Sequence, residues 1–410
     1  MSFINLEEIG FKDGAAIDSF GRLRASQVTS LFDYQSQYNT GPRDWSQSVS
    51  GTGAVTHLSD ESSVQLSTGG TASGASAIRQ TRLCWRYQSG KGQQIFMTFM
   101  FGTPVTGVRR RLGYFDDDNG IYLEQTTTDL RFVVRSSISG SPVDTTFASQ
   151  SNWNMDKLDG TGTSGKTLDI SKAQLMFIDF QWLGVGRVRC GFFIDGIPII
   201  AHEFNFGNVL ASVYMTTANL PLRYEIVNTS TADNTATLKA ICASVMTEGG
   251  DESFQRGNLN CAGRGTSGVS VSARSPVLSI RPAATFNGIP NRAWYIPINL
   301  SILNSGNNDA LWEIVFGGSL TGASWSAAAA DSCVEFDTAS TSITGGTTVI
   351  RGFVLAGQGS SSSDSTAEVA GRFPNSVDSL LGTQAGHSLV ITPLSGSTTI
   401  YANTNWREIY

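Results

Sequence analysis

The chain has 410 residues, with 28 lysines and arginines against 34 aspartates and glutamates, a net charge of −6 and 15% charged residues. That length leads to an expectation of two domains. The acidic balance, with a pI near 5.2, excludes a protein that coats nucleic acid, which would be basic. No run approaches the ~20 apolar residues of a membrane-spanning helix.

In chain order, Met1–Glu8 is amphipathic and acidic, without a signal-peptide pattern. Residues 1–45 hold Phe11, Phe20, Leu23, Leu31, Phe32, Tyr34, Tyr38 and Trp45 among turn-forming residues and show no periodicity. This reads as an extended N-terminal arm that packs either on its own domain or on a neighbouring chain. Residues 46–247 read as a first β-sandwich of jelly-roll type. Its clearest strands are the aromatic run 94–101, Leu130–Val134, Lys172–Phe180, Arg223–Val227 and Thr237–Met246. Two hairpins are expected, Phe115–Glu124 turning at Asn119-Gly120 and Arg187–Phe204 turning at Asp195-Gly196. Residues 248–275 are glycine-rich with little apolar content and read as a linker. Residues 276–410 read as a second β-sandwich, with a serine-rich loop tip over Gly357–Thr366. The fold class expected is therefore all-β: two jelly-roll-like sandwiches behind an arm. Forty-four glycines and abundant Ser and Thr suit short strands with hydroxyl-bearing outer faces.

The arm contains Ile17-Asp18-Ser19-Phe20-Gly21-Arg22-Leu23-Arg24-Ala25-Ser26, running on to Thr29-Ser30-Leu31-Phe32-Asp33. This resembles the "DxFGRLRxS…TLFD" arm of a family of tailed-bacteriophage virion proteins. The resemblance continues through Arg109–Phe115, Asn152–Gly160 and Gln181–Arg189. It implies a non-enzymatic building block of a virion assembled in the host cytoplasm, a homo-oligomer with a trimer as the expected number. Its partners would be other virion proteins, with a host-surface glycan as a further one. A tail, collar or fibre position is favoured over decoration of the capsid. Phe20, Arg22, Leu23, Arg24, Leu31 and Phe32 are the arm residues expected to bind a partner. Arg109, Arg110 and Arg111 join them if that like-charge run pairs with a neighbour's carboxylates, the other reading being a solvated edge.

Other motifs are weighed by the context their chemistry requires. Gly160–Thr167 matches a GxxxxGK[ST] phosphate loop, but Asn152–Asp159 is polar, and a strand follows Thr167 too soon for a helix to open there. No nucleotide, and no other cofactor, is expected. Phe115–Gly120 lacks the acid and the twelfth-position glutamate of an EF-hand, which leaves only a non-EF calcium site at Asp116 and Asp118 against a plain turn. His57, His202 and His387 are scattered, and Cys84, Cys190, Cys242, Cys261 and Cys333 form no CxxC pair. Buried free thiols and no zinc site are expected. Asp179, Asp195 and Glu203 would be the carboxylates of a glycan hydrolase, the alternative from another class. Trp153, Trp182 and Trp294 serve either as sugar platforms or as core.

Overall fold

A computed structural model of the chain describes residues 27–250, 257–357, 361–363 and 375–410. Phe20, Arg22, Leu23 and Arg24 lie outside the described residues. The chain divides into two compact units, Met1–Asp251 and Glu252–Tyr410, and both are β-sandwiches.

The strands of the first unit are, in order, β1 (Val28–Gln35), β2 (Trp45–Ser50), β3 (Ala54–Leu58), β4 (Ser63–Ser67), β5 (Ser76–Thr81), β6 (Gln93–Met100), β7 (Val108–Phe115), β8 (Gly120–Gln125), β9 (Leu130–Ser136), β10 (Val143–Ser149), β11 (Gln174–Phe180), β12 (Val188–Ile194), β13 (Ile197–Phe204), β14 (Leu222–Asn228) and β15 (Thr237–Glu248). One sheet runs β13-β12-β11-β6-β15-β4-β3, and β1 also pairs with β15. The other runs β10-β9-β8-β7-β14-β5-β2. The chain passes from one sheet to the other several times, in jelly-roll manner, and the ladders are antiparallel.

Alternation along the strands builds the core, because successive side chains point to opposite faces. Ile95, Met97 and Phe99 of β6 are fully buried while their neighbours are half-buried. Leu112 and Tyr114 of β7, Ile121 and Leu123 of β8 and Phe132 of β9, on the other sheet, are fully buried too. Ring contacts cross between the sheets: Tyr114 to Phe180 at 5.6 Å and Phe132 to Phe192 at 5.9 Å. Burying each such ring contributes roughly 1.5–3 kcal/mol. The β12–β13 hairpin turns at Asp195-Gly196, whose φ values of 54° and 76° are those of a type I′ turn.

In the second unit a five-stranded sheet centres on Thr398–Ile409, flanked by Trp294–Asn304 on one side and by Asn258–Gly263 and Val269–Val271 on the other. A six-stranded sheet runs Ser326–Ala327, Val334–Asp337, Ser275–Pro282, His387–Pro393, Ala310–Phe316, Thr347–Val354. Leu300, Ile302 and Ile400 of the first sheet and Val277, Trp312 and Ile391 of the second share one core.

Several expectations are corrected. The arm ends earlier than residue 45, because Val28–Gln35 and Trp45–Ser50 are strands of the first sandwich. The glycine-rich stretch read as a linker carries two strands, since backbone pairing with Thr398–Ile409 needs no apolar side chains. The tip at 357–366 likewise contains a strand, Ser361–Ser363, paired with Leu300–Ile302. None of the five cysteines is in a disulfide, but only Cys84, Cys190 and Cys333 are buried, Cys242 is half-buried and Cys261 is exposed.

Candidate interaction surface

The outer face of the seven-stranded sheet is a plate of interlocked charges. Arg111 on β7 stands opposite Glu124 on β8 and Glu225 on β14, and Glu124 stands opposite Arg131 on β9. Register therefore fixes the pairing. Glu124 accepts from Arg111 at 2.6 Å and lies 2.6 Å from Arg131. Arg111 also reaches Asp144 at 3.3 Å, and Glu225 takes Arg109 at 3.3 Å and Arg223 at 3.4 Å. Arg223 donates to Gln80 and Asp117, both at 2.6 Å. Aromatic rings support the guanidinium planes: Arg111 lies 4.9 Å from the Tyr122 ring and Arg131 4.6 Å from the Phe147 ring.

Despite its charge, most of this plate is desolvated. The side chains of Glu124 and Arg111 are 1% and 5% exposed, whereas Arg109 and Phe147 remain open to solvent at 30% and 47%. Burial would raise the Asp144 carboxyl, but the Arg135 guanidinium hydrogen-bonded to it prevails and holds it at about 2. Burial also pushes the Tyr122 hydroxyl upward.

The Arg109–Arg111 run is thus not a solvated edge. It lies on β7, a central strand, where alternation sends Arg110 to the opposite face. There Arg110 donates to the carbonyls of Thr237 and Thr103 and to Gln125.

A second feature fixes the end of the arm. β1 pairs with β15 from Val28↔Glu248 to Gln35↔Cys242, with a bulge at half-buried Leu31. Phe32 is 8% exposed, stacks on Trp85 at 4.6 Å and meets Trp45 edge-on at 5.8 Å. Arg79, 1% exposed, lies 4.3 Å from the Trp45 ring. Phe32 therefore packs on its own domain.

The phosphate-loop look-alike folds around a carboxylate of its own. Asp156 accepts from the amides of Leu158 and Ser164 at 2.9 and 2.7 Å, so anion-seeking backbone groups already have an anion. A Cβ on Gly162 would meet the Asp156 carboxylate at 2.1 Å. No helix follows Thr167, and Lys166 pairs with Asp195 at 2.6 Å. At the β7–β8 turn Asp116 accepts from the amides of Asp118 and Asn119, both at 2.9 Å. The turn thus spans Asp116–Asn119, with Gly120 already paired to Phe115, and is not the two-residue Asn119-Gly120 turn expected.

The carboxylates weighed for catalysis are held by cations: Asp179 by Arg189, Asp195 by Lys166, Glu203 by Arg187 at 3.4 Å. His202 accepts from the Asn154 amide, and burial holds its imidazole down at about 4. Trp153 packs between Phe132 and Phe192 as core, and Trp294 is 4% exposed. Trp182 donates to the Met215 carbonyl. A shallow pocket on the outer face of the eight-stranded sheet is lined by Phe96, Phe177, Phe193 and Ile200 beside the Asp179–Arg189 pair. Sequence reasoning missed Glu124, Glu225 and Asp144: the only signal of the first two is their register opposite Arg111, and Asp144, on β10 at a bulge against β9, carries none.

No protein-family pattern matches the chain, and no curated protein sequence does. Among solved structures it is similar to a protein of unknown function from Shewanella oneidensis MR-1, at 8% identity and a TM-score of 0.36, over 55% of this chain and 88% of that one. It is similar to a legume lectin-like domain from Entamoeba histolytica, at 9% identity and a TM-score of 0.33, over 54% and 98%. It is also similar to a carbohydrate esterase from the Shiga toxin-encoding bacteriophage phi24B, at 13% identity and a TM-score of 0.31, over 54% and 100%.

Proposed function

We propose that the chain is a non-enzymatic structural component of a bacteriophage virion, anchored to other virion proteins by its N-terminal arm. A tail, collar or fibre position is preferred to capsid decoration, on the resemblance of the arm and of the three later segments. The observation that carries the proposal is the seating of Val28–Gln35. The second half of the family-like segment is built into the sandwich by β15 and by Phe32, so the FGRLR motif before it starts from a fixed point on a rigid body. The charged plate supports the same reading. Carboxylates interlocked with guanidinium groups stiffen a sheet, and Asp144, held low at about 2 by Arg135, does not supply the protonated acid that glycan cleavage needs.

Removing residues 1–26 tests it. The shortened chain should melt as the full chain does and yet be missing from purified particles. Incorporation at the full-length level would overturn the proposal, and so would failure of the first sandwich to fold, because the arm would then be core. A second reading, glycan binding at a host surface, rests on the aromatic pocket beside Asp179 and Arg189. A glycan array with a cell-wall digestion assay separates it: binding without cleavage makes the chain a lectin-like module, and cleavage makes it an enzyme.

A further inference from the structure

The strand Thr347–Val354 closes one edge of the six-stranded sheet in the second unit. Its inner side is ordinary core. Ile350 packs against the main cluster, Val354 is 1% exposed, and Gly352 leaves room for the Trp312 ring, which a Cβ would meet at 2.8 Å. The outer side is unusual for an edge. Val349, Phe353 and Leu355 are 45%, 64% and 63% exposed, with Arg351 exposed among them. Leu311, opposite Phe353 on the neighbouring strand, extends the same apolar face. Natural edges of this kind are normally blunted by charge or covered, because their free backbone groups invite another strand.

Register says which strand fits. The ladder to Ala310–Phe316 is regular from Val354 to Ile350 and then slips, leaving Val349 as a bulge. Beyond that bulge the ladder resumes only at Thr348 and Thr347, so the regular stretch of the strand is Ile350–Val354 and its midpoint is Gly352. Antiparallel strands set residues of the same face opposite each other. A two-fold centred on Arg351 would oppose two like charges, and one centred on Ile350 would leave Phe353 against Thr347. Centred on Gly352, it sets Arg351 over Phe353 of the second copy and brings Val349 to Leu355, each contact made twice.

We infer that this edge is a self-complementary docking strand, through which two copies of the chain join their six-stranded sheets antiparallel about a two-fold at Gly352. The partner is a second copy, because the edge's own sequence supplies the cation for its aromatic ring and the apolar mate for its bulge. The contact is isologous and closes as a dimer, a different number from the trimer that the resemblance implies. The inference concerns the chain in solution and holds whether or not a virion carries it.

Sedimentation of the intact chain over tens to hundreds of micromolar, with charge variants at position 353, tests it. The wild type should dimerise with rising concentration. Phe353→Lys sets two like charges together on each side of the two-fold and should weaken the dimer at least about tenfold. Phe353→Glu, facing Arg351 instead, should keep the dimer and make it salt-sensitive. Residue 353 is exposed, so both variants should melt as the wild type does. A wild type that stays monomeric overturns the inference. So does association untouched by Phe353→Lys, which would place the contact elsewhere, or equal loss in Lys and Glu variants, which would refute the register.

Discussion

Replacing Glu124 by glutamine probes whether the charged plate holds the first sandwich together. The carboxylate is 1% exposed and bridges Arg111 and Arg131, each at 2.6 Å. Removing one partner of a buried pair typically costs 3–5 kcal/mol, chiefly because a buried charge is left behind. Here the loss is tempered: Arg131 is 26% exposed, and Arg111 keeps Asp144 at 3.3 Å and Glu225 at 3.8 Å. The low end applies, about 3 kcal/mol, which for a unit of this size lowers the melting temperature by about 6–12 °C. Thermal and urea unfolding followed by circular dichroism measure it. Arg111→Met with Glu124→Gln completes a double-mutant cycle, in which the double variant should be less destabilised than the two single losses together. A loss below about 1 kcal/mol, or strict additivity, would mean that solvent already screens the pair as at an exposed site and that the plate is not desolvated.

Acid should destabilise the first sandwich in two stages. His202 is held at about 4 against 6.5 for a free imidazole, so the unfolded chain binds its proton first and stability falls from pH 6.5 to 4. Asp144, held at about 2 against 3.8, extends the loss below pH 4, and His202→Asn should flatten the upper stage alone in melts across pH. Phe32→Ala should cost about 3–5 kcal/mol by emptying the space beside Trp85 and Trp45, read as a lowered urea midpoint. Lys166→Ala should shift stability by less than about 1 kcal/mol, since its partner Asp195 is 69% exposed, and calorimetric titration with ATP and magnesium should be flat with or without it. Micromolar nucleotide binding abolished by Lys166→Ala would contradict the account of the Asp156-centred loop.

Much of the sandwich was legible because its signals are local. The run 94–101 is apolar enough to mark β6, and Asp195-Gly196 specifies its own hairpin through φ > 0. What escaped notice was carried by backbone pairing between polar strands. Trp45–Ser50 reads WSQSVS and Val143–Ser149 reads VDTTFAS, neither with a clean apolar alternation. The charged plate escaped for another reason. Arg109, Arg110 and Arg111 announce a like-charge run, but their partners lie far off in sequence. Arg111 meets Glu124 13 residues away and Asp144 33 away, and Arg109 meets Glu225 116 away. Pairing at such range depends on strand order and register, which composition does not encode. Arg110 shows the same dependence in reverse: one position along the run, it turns to carbonyls on the other face.

The placing of β1 has a mechanical consequence. Along one flank of β15, β4 pairs with Thr237–Ala240 and β1 takes over from Cys242 to Glu248. Antiparallel hydrogen bonds run across the strands. Tension arriving at Val28 along the strand axis therefore strains the β1 ladder in shear, with the bonds sharing the force together. Tension arriving sideways would open the same ladder one bond at a time, beginning at Val28↔Glu248. The seam between arm and sandwich is strong in one direction and weak in the other, so the angle at which the chain is pulled would decide which part yields first.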